Sequence, residues 1–303
     1  FSYLMSNSIL NRVQMFLTEA NKASVGVSST IVNEFGEACK DAFKKQFTEQ
    51  RDNKFKTRMS SIGRPLCQLQ MEKSGAEPEP MPYNFKMRNL FGDMIEAAAV
   101  AILKASGVKV DALQKHVKYK FDKDTEISGT YDIKIQNKIY DIKSASPWAF
   151  ENKFSDEGGF DAILKEDTFG YVSQGYLYSS AENTDFGGWI AINKSTGEWA
   201  VTETPLSDEH HSQEAIKKAK DNIDALNSNA PFKKLFKDQD EYFNRKATGN
   251  KVLPMECRFC AYKRPCWGDK LKHLPQQQSK ALTPKWVWYT EVNNPREEDG
   301  HTE

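Results

Sequence analysis

The stretch TYDIKIQNKIYDIKSA, Thr130 to Ala145, repeats the triplet Asp-Ile-Lys nine residues apart around a short polar interruption. Gln136 and Asn137 read as a two-residue hairpin turn, in which asparagine tolerates the left-handed backbone required. Such a turn sets the register: Ile135 faces Lys138, Lys134 faces Ile139, Ile133 faces Tyr140, and Asp132 faces Asp141. Side chains alternate along a strand, so Lys143 shares the face of Asp141, while Ile133, Ile135 and Ile142 take the other. One face is core, and the other gathers two aspartates and a lysine. Lys134, lying over Ile139, is incidental to that group.

Two carboxylates facing each other across strands repel unless something positive lies between them. A hard divalent cation such as Mg²⁺, which takes oxygen ligands and retains water, answers that need, and Lys143 can then hold a water or balance charge on a phosphate. A plain Asp-Lys pair on an exposed hairpin is the competing reading. A third carboxylate, Glu96 in NLFGDMIEAAAVAIL, precedes an apolar run, and Gly92 lies one turn earlier on the same helix face, where it would let another backbone approach. For an isolated glutamate, pairing of Glu96 with Arg88 or a lysine is the better reading. In YVSQGYLY, Gln174 and Tyr178 are four apart, offering an amide and a phenol on one helix face.

The chain has five cysteines, Cys39, Cys67, Cys257, Cys260 and Cys266, an odd number with no secretion signal, which speaks against a disulfide framework. Three fall in CRFCAYKRPCW, and with Cys67 they make four thiols suited to a structural zinc or an iron-sulfur cluster. Lys263 and Arg264 beside them place positive charge near any bound polyanion.

Composition narrows the class. With 303 residues, 39% hydrophobic, and 18 Phe, 11 Tyr and 6 Trp, the chain can bury a substantial core. The balance of 42 basic against 42 acidic residues gives no global argument for nucleic acid, so any such case is local. No apolar run reaches the ~20 residues of a membrane span, and the cytoplasm is the default location. Met5 offers a natural start. A Gly-Lys-Ser/Thr phosphate loop is absent, which excludes a self-contained ATP-driven motor of the Walker type.

Residues 6–58 read as helix with polar breaks, and Lys40–Arg58 holds seven basic against three acidic residues, a phosphate-facing surface or a solvated helix face. A loop at 73–84 precedes a helix over 86–105 stopped by Gly107. Residues 109–124 form a lysine-rich strand region; a helix spans 164–180; a hairpin spans 187–203 with its turn at 195–197. Residues 207–246 read as interrupted helix. The glutamine run and the acidic end PREEDGHTE read as a mobile tail. The order gives a mixed α/β fold with a central sheet flanked by helices.

In chain order, GDMIE (Gly92–Glu96), GTYD (Gly129–Asp132), DIK (Asp141–Lys143), QGYLY (Gln174–Tyr178), the upstream Cys67 and the Cys-x2-Cys-x5-Cys at Cys257, Cys260 and Cys266 resemble the RecB-like branch of the PD-(D/E)XK nucleases. Within it they resemble the iron-sulfur group, which includes CRISPR-associated RecB-like nucleases, the AddB nuclease domain and stand-alone viral exonucleases. The resemblance implies a restriction-endonuclease-like core. It implies Asp132, Asp141, Glu96 and the Ile142 carbonyl as Mg²⁺ or Mn²⁺ ligands, Lys143 as catalytic lysine, and Gln174 and Tyr178 as DNA contacts. Glu96 stands where many relatives have histidine, and Asp141 is one methylene shorter than the commoner glutamate. Cys67, Cys257, Cys260 and Cys266 would hold a 4Fe-4S cluster joining the N- and C-terminal segments. The implied organisation is a helical segment (1–80), a nuclease core (81–246), a cluster segment (247–275) and a tail (276–303). The implied activity is metal-dependent DNA exonuclease action, 5′ to 3′ as in many relatives, on single strands or free ends, with a helicase or recombination protein as partner. A DNA-binding adaptor for a CRISPR-integration or helicase assembly is the alternative.

Overall fold

Gln136 and Asn137 both take positive φ, 50° and 60°, the backbone of a type I′ turn, whose twist matches that of the strands it joins. The pairs Ile135 with Lys138, Lys134 with Ile139 and Ile133 with Tyr140 follow in the register that such a turn dictates. Glutamine is a poor occupant of its left-handed position. Gln136→Asn is expected to raise stability by about 0.5 kcal/mol, read as a higher denaturant midpoint at unchanged slope.

The computed structural model describes residues 8–205 and 209–297; Met5 and the end of the acidic tail lie outside them. The chain is mixed α/β with two sheets, and it divides into two units. The first comprises the residues before Arg64 together with Met81–Asp224; the second comprises Arg64–Pro80 and the residues from Ala225 onward. The helices before Gly63 belong with the core, and the segment carrying Cys67 belongs with the C-terminal cysteines.

In the first unit, β1 (Val110–Lys120), β2 (Glu126–Ile135), β3 (Lys138–Ala145), β4 (Asp185–Asn193) and β5 (Trp199–Glu203) form one sheet in chain order, antiparallel except for the parallel pair β3 and β4. Its helices include α1 (Ile9–Lys22), α2 (Ser29–Phe47), α3 (Phe85–Ala105) and α4 (Tyr171–Ala181). Ile9 and Val13 of α1 and Ala99 and Leu103 of α3 pack with Ile133, Ile135, Tyr140, Ile142, Ile190 and Ile192, so the apolar side of the opening hairpin is core. Gly107, at φ 80°, ends the α3 region in the left-handed turn that stops helices. The single helix expected over 164–180 is broken: Asp167 accepts the amides of Tyr171 and Val172 at 2.7 and 3.0 Å and starts α4 afresh.

In the second unit, β6 (Gln239–Phe243), β7 (Lys246–Val252), β8 (Lys272–Pro275) and β9 (Trp286–Glu291) form a sheet ordered β6-β7-β9-β8. Two expectations fall here. Of the expected helical segment, only Glu209–Asn227 is helix among the described residues, and all but its last residues belong to the first unit; the rest ends in the hairpin β6–β7, turned by Asn244 and Arg245, both at positive φ. Residues 276–297 are not a tail along their length, because β9 lies inside the sheet between β7 and β8.

Candidate active site and cysteine cluster

The ladder between β2 and β3 stops at Ile133 and Tyr140. Beyond it β2 stays with β1, where His116 pairs with Thr130, and β3 stays with β4, where Asp141 pairs with Trp189. The two strands therefore fork, and Asp132 stands at the fork. Instead of facing Asp141 in a ladder pair, it accepts the Ile142 amide on Oδ2 at 2.8 Å, so a side chain replaces the missing backbone partner.

Three carboxylates act on one another there. Burial, then the charges of Asp141 and Glu96, push Asp132 well above the usual carboxylate range, with Lys143 opposing. Burial, then Asp141 and Asp93, raise Glu96, with Lys45 and Lys143 opposing. Asp141 is 2% exposed. Its buried Oδ2 lies 2.7 Å from the Lys143 ammonium, an ion pair. Lys143 also lies 4.3 Å from the ring centre of Tyr171. Burial alone would depress Lys143, but Asp141, Tyr171 and Asp132 outweigh it and hold it above the ordinary lysine value.

Glu96 pairs with neither Arg88 nor a lysine in hydrogen-bond contact: Gln114 Nε2 donates to its Oε1 at 2.5 Å. Gln114 sits between the pairs Leu113–Ile133 and Lys115–Tyr131 with φ 45°, a left-handed residue inside β1. Gly92 faces the Ser144 hydroxyl, 3.4 Å from where a Cβ would stand, an ordinary contact rather than the close backbone approach expected. Lys134 is not idle, for it lies 3.5 Å from Glu182, which also binds Lys115 at 2.7 Å.

Gln174 and Tyr178 are largely buried, in the wall of a cleft, and Gln174 Nε2 donates to the Tyr178 hydroxyl at 3.1 Å. Burial above all, opposed by that hydrogen bond, pushes the phenol up to about 12, so it stays protonated. The two motifs GTYD and QGYLY interlock. A Cβ on Gly129 would stand 2.7 Å from the Tyr178 ring and 2.9 Å from Met59 Cβ. Gly129→Ala is therefore expected to cost about 1–3 kcal/mol by overpacking, seen as a lower melting temperature.

A cleft of about 1040 Å³ is lined by Glu96, Gln114, His116, Asp132, Gln174 and Tyr178, with Lys45 and Arg58 from the basic run Lys40–Arg58 also on its wall. Lys45 is 3.3 Å from Asp93, which also takes a hydrogen bond from Gln46 at 2.7 Å. Gln114 and His116 escaped the sequence reading. Within 109–124 only the lysines stood out, and nothing in the period-2 pattern marks a strand residue that is bent toward a helix carboxylate.

In the second unit, Cys67 from the helix Leu66–Lys73, Cys257 from Met255–Arg258, Cys260 from the next turn and Cys266 from Lys263–Trp267 line one small cavity with Phe236 and Trp267. Burial, then the neighbouring Cys260, Cys266 and Cys67, push Cys257 up to about 12. Cys67, Cys260 and Cys266 are also raised, by burial first. The Tyr262 amide donates to Cys260 Sγ at 3.4 Å. Cys39 lies apart in α2.

Among the described residues, no group of three or more His, Cys, Asp or Glu side chains stands where it could hold a metal ion as placed. The donor chemistry nonetheless separates cleanly. Hard carboxylate oxygens that raise one another's affinity for protons gather at the fork and suit Mg²⁺ or Mn²⁺. Four soft thiols gather in the second unit and suit iron-sulfur or zinc.

No protein-family model matches the chain, and no curated protein matches it. Among solved structures, the crystal structure of SSO0001 is similar at 15% identity and a TM-score of 0.40, over 76% of this chain and 95% of that one. Among the described residues no helix is long and apolar enough to cross a membrane.

Proposed function

We propose that the chain is a metal-dependent DNA exonuclease of the RecB-like PD-(D/E)XK type. The observation that carries the reading is the fork in the sheet, where Asp132, Asp141 and Glu96 meet with Lys143 beside a cleft. Asp132, Asp141 and Glu96, with the Ile142 carbonyl, would hold Mg²⁺ or Mn²⁺, their side chains drawing together to do so. A bound ion of this kind polarises a phosphodiester and lowers the pKa of a coordinated water.

The chain's own groups do the rest. Lys143, 2.7 Å from Asp141, would place positive charge against the phosphate. Tyr178 accepts from Gln174, which leaves its own O–H proton to donate to a phosphate oxygen in the cleft. Lys45 and Arg58 add positive charge on the cleft wall. Cys67, Cys257, Cys260 and Cys266 would hold a 4Fe-4S cluster with a structural role.

The test uses end-labelled linear single- and double-stranded DNA beside a circular control, with Mg²⁺ or Mn²⁺ and with EDTA. Linear DNA is expected to shorten from its ends, the circle to survive, and EDTA to stop the reaction. Hydrolysis of none of them in either metal rejects the reading. DNA binding with no hydrolysis is the result that the adaptor reading predicts.

A further inference from the structure

The second unit carries a strip of aromatic and basic side chains that the hydrolytic site does not use. Strands β8 and β9 pair His273 with Trp288 and Pro275 with Trp286, and alternation puts all four on one face. His273 lies flat on Trp288, ring centres 4.1 Å apart and planes 7° apart, and its centre is 5.3 Å from that of Trp286. The Lys263 ammonium and the Arg264 guanidinium stand 4.9 and 5.1 Å from the Trp288 ring centre. Burial, then Arg264 and Lys263, hold His273 below the ordinary histidine value, so a neutral ring does the stacking.

The ladder ends in the open. Trp286 is 58% exposed. The other face of β9 is accounted for, since Tyr289 is buried and donates to Glu241 at 2.5 Å. Arg264 is 2.9 Å from Glu79 and still half-exposed. An indole left open beside a stacked histidine–indole pair, with two cations against that pair, is complementary to a ligand that combines flat rings with negative charge.

We infer that this face of β8 and β9 binds single-stranded DNA, Trp286 stacking on an unpaired base while Arg264 meets a phosphate. Single strands are favoured over duplex because a base inside a duplex has both faces covered by its stacked neighbours. The choice of DNA rests on the nuclease reading, but binding here does not depend on hydrolysis.

Anisotropy of a fluorescein-labelled oligothymidylate, titrated with the full chain in EDTA, tests it. Trp286→Ala is expected to weaken binding about tenfold, with Trp286→Phe retaining most of the affinity. Arg264→Ala should reduce the slope of log K against log salt by about 0.7. An abasic oligonucleotide of equal length should bind wild type and Trp286→Ala alike. Wild-type affinity in Trp286→Ala, or equal wild-type affinity for the abasic and thymidine strands, overturns the inference, and melting curves show that each variant is folded. Trp286-dependent binding by a chain that digests nothing would sink the nuclease reading alone; digestion with Trp286-independent binding would sink this one alone.

Discussion

Asp132→Asn is expected to lower DNA hydrolysis about 10³-fold, on the order of 4 kcal/mol in the barrier, while raising the melting temperature of the metal-free protein. The two effects share one cause. Asp132 is held well above the usual carboxylate range by burial and by Asp141 and Glu96, so its ionised form works against folding when no cation is present. Asparagine removes the charge and can still accept the Ile142 amide. The sign follows from linkage: a carboxyl raised in the folded state binds its proton more tightly there, so stability is gained as pH falls from that raised value toward the ordinary range. The advantage of Asp132→Asn should therefore be largest near neutral pH and shrink as the wild-type carboxyl protonates. Asp141→Ala should also abolish hydrolysis but with the opposite sign on stability, a loss on the order of 3 kcal/mol, because it strands the largely buried Lys143 ammonium. Hydrolysis kinetics and thermal melts over pH check both, and full activity in either variant removes that aspartate from the site.

The contrast between those variants marks how far the sequence could be read. A two-residue turn and a period of two suffice to place Ile133, Ile135 and Ile142 in the core and Asp132 on the face of Asp141 and Lys143, because register propagates from the turn. They do not say where a ladder stops, so the fork and the Ile142 amide bond to Asp132 were invisible. Gln114 was invisible for a related reason: its left-handed φ is imposed by context, not by its own preference. The second unit was misread because its sheet is not built on an apolar stripe. Glu241 and Asn250 are buried in it, joined by hydrogen bonds of 3.0 Å to each other and, at Glu241, 2.8 Å to Thr248 and 2.5 Å to Tyr289. Hydropathy sees polar residues and returns helix surface or tail. The alternating WVWYTE of β9 was the one available signal, outweighed by the polar residues around it.

Cys67→Ser tests the cluster where its sequence reach is longest. In protein purified without oxygen, brown colour and broad visible absorbance are expected for wild type and for Cys39→Ser, and are expected to be lost in Cys67→Ser and Cys266→Ser. Cys67 and Cys257 are about 190 residues apart, and a crosslink over such a span has a chain-entropy ceiling on the order of 5 kcal/mol. The real loss should be smaller, about 3 kcal/mol, because the two segments are also joined directly: the Glu79 amide donates to Ala261 O at 2.6 Å and Gln70 Nε2 to Ala230 O at 3.1 Å. Thermal melts measure that loss, and iron and zinc analysis identifies what the thiols hold. A colourless wild type with stoichiometric zinc replaces the iron-sulfur assignment, and colour retained in Cys67→Ser takes Cys67 out of the ligand set. Because Asp132, Asp141, Lys143 and Glu96 all belong to the first unit and the four cysteines to the second, the rate of hydrolysis per folded molecule should survive the substitution. A fall in the amount of folded protein with no change in that rate is what separates a structural staple from a participant in the chemistry.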